Sequence, residues 1–293
     1  MRLRCQACGA GLEVEPELRT ATCAFCASPH VIEQPEAAGR PEATFALGFV
    51  VDRARAVEIA RAWKRGRGLF APRRYNRADV EEVRGVYVPA YLYSAEAHAR
   101  YQAEIGEDYR VEVKDREGRR RTERRTEWRT LEGLWAGYVE GRVVTASRGV
   151  PNDALEAVEP YDLRALCRYT PKLIAGWLAE EASRSPEEGA ELGRREALTE
   201  VHRRLARFMP GDRHRGLRSK VVLEREDVEL LLLPLWILPI RYHPERGPAR
   251  ILVNGQTGAV WGRVPVSGVK VTLAVLTVLA IAAALFLVWS GTP

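Results

Sequence analysis

Residues 110–130 read RVEVKDREGRRRTERRTEWRT, a charged stretch that turns at Glu117-Gly118 and predicts a long antiparallel hairpin. The preceding segment, VYVPAYLYSAEAHARYQAEI at 86–105, is rich in aromatic and β-branched residues with alternating polarity, as a strand with unlike faces requires. Strands are expected again in VVLERE (221–226), LLLLPLWILPI (230–240) and ARILVNGQTGAVWG (249–262). Asn254-Gly255 and Thr257-Gly258 in the last of these mark a tight turn, whose residues tolerate positive φ. The run at 230–240 is too short to cross a membrane, and its two prolines do not spoil its reading as a buried strand.

Helices are placed between these strands. FALGFVV (45–51) reads as a strand, and Asp52 caps a helix RARAVEIARAWKRG in which Ala56, Ile59, Ala60 and Trp63 recur at helical spacing. A helical region is expected over roughly 153–210, where Leu198, Val201, Leu205 and Phe208 form an apolar stripe. Cys167 is expected to be a small buried hydrophobe. The order of elements argues for α+β.

The two ends carry the most specific signals. Cys5, Cys8, Cys23 and Cys26 form two Cys-x-x-Cys knuckles, the four thiolates that a tetrahedral Zn²⁺ site requires, so residues 1–33 are expected to be a zinc ribbon folded largely by its metal. Residues 34–43, rich in Pro, Ala and Glu, follow as a linker. Val271–Trp289 is an uncharged run long enough, as a helix, to match a bilayer. Arg250, Arg263 and Lys270 on its amino side place the bulk of the chain in the cytoplasm by the positive-inside rule. The expectation is therefore an α+β protein made of an N-terminal zinc ribbon, an antiparallel-sheet-rich body at 44–265 and a single C-terminal transmembrane helix within 266–293, anchored in a membrane with its N-terminal bulk in the cytoplasm.

The sequence lacks the residues of several reaction classes. There is no Gly-Lys dipeptide for a phosphate loop, no H-E-x-x-H and no G-x-S-x-G. A formal net charge of +6 permits contact with anionic lipid or nucleic acid without demanding either. Three readings compete for the hairpin residues Arg119, Arg120, Arg121, Arg124 and Arg125: a solvated ladder of Arg/Glu pairs, a contact with anionic headgroups, and nonspecific phosphate binding.

The ribbon, followed by FVVDRARAVEIARAWKRGRGLFAP, GVYVPAYLY, LLPLWILPIRY and VNGQTGAVWGRVPVSGVK, resembles a family of bacterial TFIIB-type zinc-ribbon membrane proteins, often labelled primosomal-helicase-like. Some members are encoded beside phage-shock-type membrane-stress proteins, which implies a scaffold. The chain departs from the family's pattern in having Gly48-Phe49 and Tyr91, and in lacking the second knuckle's glycine. The function expected is a non-enzymatic, tail-anchored zinc-ribbon scaffold or adaptor that docks proteins at the cytoplasmic membrane face. Its rival is a membrane-tethered nucleic-acid binder.

Overall fold

The computed structural model describes residues 2–6, 10–13, 23, 25, 31–33, 42–80, 83–114, 120–243 and 247–290. In chain order its strands and α-helices are β1 (Arg2–Cys5), β2 (Gly11–Glu13), β3 (Val31–Glu33), β4 (Phe45–Ala46), α1 (Arg53–Arg65), α2 (Arg73–Arg77), β5 (Arg84–Lys114), β6 (Arg120–Thr145), α3 (Asn152–Glu156), β7 (Cys167–Arg168), β8 (Leu178–Glu181), α4 (Pro186–Phe208), β9 (Arg213–Ile240), β10 (Ala249–Asn254), β11 (Val260–Gly262) and α5 (Gly268–Ser290). The described strands form one sheet with the path β11-β10-β9-β5-β8-β2-β1-β3, while β6 pairs with β5 and β4 pairs with β7 and β9. Contacts divide the chain into two units: Met1–Ala90 with Thr145–Arg184 and Leu230–Pro293, and Tyr91–Val144 with Ser185–Glu229. Strands β5 and β9 contribute residues to both.

In the first unit α1 starts where Asp52 accepts a hydrogen bond from the Arg55 N–H at 2.8 Å, satisfying one of the four unpaired donors at a helix start. Its buried Ala56 and Ala60 pack with Tyr75, Trp236, Leu238, Ile240, Ile251 and Val253. All of Leu230–Ile240 is buried. Pro234 is tolerated because β10 pairing with β9 ends at Leu235↔Asn254, one residue short of the donor it lacks, while its carbonyl accepts from the Gly255 N–H at 2.9 Å. β2 pairs antiparallel with β8, Gly11↔Glu181 through Glu13↔Ala179, so the N-terminal strands extend the same sheet.

In the second unit α4 begins at a capping box, with Ser185 Oγ accepting from the Glu188 N–H and the Glu188 carboxylate accepting from the Ser185 N–H. Its buried Ala197, Val201 and Leu205 rest on Tyr93, Ala95, Ala97, Ala99, Tyr101, Ala103 and Ile105 of β5. The alternate alanines let the helix approach closely. Gly189 and Gly193 do the same from the helix side: a Cβ on Gly193 would lie 2.4 Å from Tyr93 Cγ, and one on Gly189 would lie 2.2 Å from Tyr91 Cδ2. The helix carries the conformational cost of two interior glycines so that two tyrosine rings can seat against it.

Several expectations are corrected. The α+β class holds, but the sheet is mixed, because β4 runs parallel to β9 and β5 parallel to β8. The C-terminal transmembrane helix is withdrawn: α5 is a helix, but no helix among the described residues is long and apolar enough to cross a membrane. The helical region expected over 153–210 is helical only in α3 and α4, with β7, β8 and two 3-10 turns between. Pro160, Pro171 and Gly176, the last at φ +82°, account for the break. FALGFVV pairs as a strand only at Phe45–Ala46, and Val50 and Val51 instead donate to the Gly255 carbonyl at 2.8 Å. Cys167 is exposed, not buried, and its thiol donates to the Ala46 carbonyl at 3.3 Å.

Candidate docking face

Strand alternation in the second unit separates two unlike surfaces. The odd-numbered residues of β5 from 93 to 105 face the α4 core, with Leu131, Trp135, Leu217, Val221 and Leu223 packed against them from β6 and β9. The even-numbered positions carry His98 and Arg100 on β5, Leu134 and Ala136 on β6, and Lys220 and Val222 on β9. These six residues, with Ala99 and Trp135, line an open groove of about 650 Å³. Leu134 is 75% exposed, and Val222 and Tyr138 are each 47% exposed. Leu134 and Val222 are placed as core residues would be, but on the side away from α4.

The charge lining the groove is one-sided, although exposed Glu132 and Glu140 share the outer parity of β6. Arg100 and Lys220 form no ion pair among the described residues, and no carboxylate lines the groove. His98 Nε2 lies 4.0 Å from Glu224. Further along the same strands the charges are paired: Arg225 to Glu96 at 2.9 Å, and Arg215 to Glu104 with its guanidinium 4.0 Å from the Trp128 ring centre. Beneath it, Glu226 accepts from Tyr93 at 2.7 Å and from Arg194 at 2.6 Å. Burial and this carboxylate together push the Tyr93 hydroxyl well above its ordinary pKa, so it serves as a fixed donor.

The arginines singled out in the hairpin are mostly paired. Arg120 faces Glu112 at 3.6 Å, and Arg121 and Arg125 share Glu123 at 2.9 and 3.5 Å. Arg124 and Arg213 both reach Asp108, whose carboxyl is held below its usual range first by the Thr126 hydroxyl and then by Arg124. Arg119 lies outside the described residues. This surface is an ion-pair ladder, whose exposed rungs contribute little stability.

Of the proposed metal ligands, Cys5 and Cys23 are buried, and Cys23 Sγ accepts from the Phe25 N–H at 3.4 Å. Cys8 and Cys26 lie outside the described residues. Among the described residues no group of three or more His, Cys, Asp or Glu side chains could hold a metal ion, and this corrects the expectation of a formed zinc ribbon. Elemental analysis of the reduced protein reads the point directly: one zinc per chain would restore a four-thiolate site, and none would remove it.

The sequence reading also missed a buried polar cluster beside these cysteines. Glu180 on β8 is 2% exposed, and its Oε1 accepts from Ser147 Oγ at 2.7 Å. Ser147 Oγ in turn accepts from the Gly149 and Val150 N–H groups at 2.9 and 3.0 Å. Among the described residues Glu180 Oε2 has no hydrogen-bond partner. Burial pushes the carboxyl up to about 8, against the opposing pull of Ser147, the backbone of Gly11 and Gly149, and Arg250. Gly149 has no room for a side chain, since a Cβ there would come within 2.8 Å of Ala10 Cβ. The cluster fastens the sheet where β2 joins β8. Nearby, the turn at 254–258 is held by Asn254, whose Oδ1 accepts from the Gln256 and Thr257 N–H groups while its Nδ2 donates to Val158 and Pro160 carbonyls.

The groove residues were legible only as polarity alternation. Apolar side chains on the charged parity, at Leu134 and Val222, are the signal that could have found them. No family model matches the chain, and no solved structure matches it. It is similar to a Bacillus subtilis (strain 168) protein described as "Uncharacterized protein YdjG", with 24% identity over 227 residues, covering 77% of this chain. The chain covers 64% of that relative's length.

Proposed function

We propose that the chain is a non-enzymatic scaffold or adaptor that docks another protein on the outer face of β5, β6 and β9. The observation that carries this reading is the groove around Arg100, Leu134 and Lys220, where exposed apolar side chains sit beside cations that form no ion pair among the described residues. Exposed apolar surface of this kind, ringed by polar residues, is characteristic of contact surfaces. The resemblance to bacterial ribbon-bearing proteins supports the same reading, since the gene neighbours of some members imply assembly.

The test is in-cell photo-cross-linking from a light-activated residue placed at Leu134, with Thr199 on the exposed side of α4 as control. A discrete protein adduct is expected from 134 and not from 199, and it should fade in an Arg100→Glu, Lys220→Glu background. Equal adducts from both positions, or an adduct indifferent to the charge reversals, would overturn the reading. Adducts to nucleic acid in place of protein would transfer the face to the rival function.

A further inference from the structure

We infer that the partner presents an acidic, amphipathic helix, seated lengthwise on the outer face of β5, β6 and β9. This inference rests on the docking reading above and names the chemistry of its partner.

The width of the seat selects a helix. Three strands spaced about 4.8 Å apart make a face slightly broader than one helix, which is about 10 Å across with its side chains. The inner face of the same three strands shows that this match is used, because α4 lies along it with its Ala197, Val201, Leu205 side packed on β5. A second helix on the outer face would complete a helix-sheet-helix sandwich, a usual way for a sheet to cover both faces.

The charge selects the sign. The groove contains Arg100, Lys220 and His98 and no carboxylate. Glu96 and Glu104, the acids on neighbouring even positions of β5, are already paired with Arg225 and Arg215, and Glu224 faces His98. An incoming helix flanked by Glu or Asp would pair Arg100 and Lys220, whereas a basic helix would leave like charges facing one another in the groove. Leu134 and Val222 lie on opposite flanks of β5, on β6 and β9 respectively. Apolar anchors at i, i+3 or i+4 and i+7 on the partner would fit between them.

The probe is a synthetic helix-forming peptide of about 18 residues with Leu at i, i+3, i+4 and i+7 and Glu on its flanks. Its binding to the full chain is followed by fluorescence anisotropy. Two controls accompany it: the same peptide with Lys for every Glu, and a permutation of identical composition that has no apolar stripe. Saturable binding of the acidic amphipathic peptide alone is expected, weakened about tenfold or more by Arg100→Glu with Lys220→Glu, and likewise by Leu134→Asp. All three positions are exposed or at the sheet surface, and an unchanged thermal melt confirms that the variants fold. Equal binding of the permuted peptide, binding of the Lys peptide, or indifference to the variants would overturn the inference. So would variant-sensitive binding of duplex DNA or phosphatidylglycerol vesicles with none of the peptide. If the peptide fails while the Leu134 cross-link still yields a protein adduct, the partner's chemistry falls and the docking function stands. If both fail, the docking reading falls with it.

Discussion

One strand, β9, obeys two different rules along its length. From Leu230 to Ile240 every residue is buried and nearly every one is apolar. From Arg213 to Glu229 exposed and partly buried positions interleave, and charged residues hold most of the exposed ones. β5 makes the same change in the other chain direction, continuous burial over Val86–Tyr91 giving way to alternation through Ile105. A strand covered on both faces has no position for a charge, whereas a strand covered on one face needs an apolar residue only at every second position. Apolar residues on the uncovered side of the second kind of strand are therefore surplus to folding, which is the ground on which Leu134 and Val222 are proposed as contact residues.

The largest expected effect lies in the doubly covered segment. Leu235→Ala, at a fully buried position, should lower the unfolding free energy by about 2–5 kcal/mol, read from urea midpoints at constant slope. A loss below about 1 kcal/mol would mean that this half of β9 is open on one side, and the contrast between the halves would collapse.

The Glu180 cluster comes next. The folded-state pKa of about 8 lies above the ordinary 4.5, so between these values the folded protein holds a proton that the unfolded chain has released. Its contribution is full below about pH 4.5, is lost as pH rises toward 8, and changes no further above that. The decline should amount to a few kcal/mol, at about 1.4 kcal/mol per pK unit, and Glu180→Gln should flatten it. A parent and a Gln variant with parallel pH-stability curves would show that Glu180 ionises normally.

A smaller loss is expected at the helix that covers the inner face. Gly193→Ala improves helix propensity, but its methyl group meets the Tyr93 ring, and overpacking of this kind costs about 1–3 kcal/mol. A stabilised variant, seen as a raised melting temperature, would mean that Tyr93 can swing aside. At the other extreme, Arg120→Gln, Arg125→Gln and Leu134→Ala touch only the exposed side and should each stay within about 0.5 kcal/mol of the parent. A larger loss at Leu134 would show that the groove serves folding and would weaken its claim as a docking surface.

Local chemistry made much of the fold readable from residues alone. The Asp52 cap, the apolar run at 230–240 and the turn after Val253 each depend on neighbours within a few positions, where spacing and side-chain type decide the outcome, while the turn expected at Glu117-Gly118 lies outside the described residues. The region from 153 to 210 is not one helical stretch, because Pro160, Pro171 and Gly176 interrupt it and the apolar stripe at Leu198–Phe208 speaks only for α4. Cys167 was misread because exposure depends on which strand a short edge segment finds. Of the candidate sites, the hairpin arginines could be seen but not their partners, since Asp108 reaches Arg124 and Arg213 from a different strand.

What the sequence determined by itself is the type of the long elements β5, β9 and α1, the α+β class and the alternation that gives β5, β6 and β9 two unlike faces, because those follow from periodicity along the chain. What only the tertiary structure decided is which face α4 covers, the parallel pairings of β4 with β9 and β5 with β8, the joining of β2 to β8 and the burial of Glu180. Each of these turns on contacts between residues far apart in sequence. Such contacts form when the loss of chain entropy is outweighed by the surface they bury together, a balance that no local pattern records.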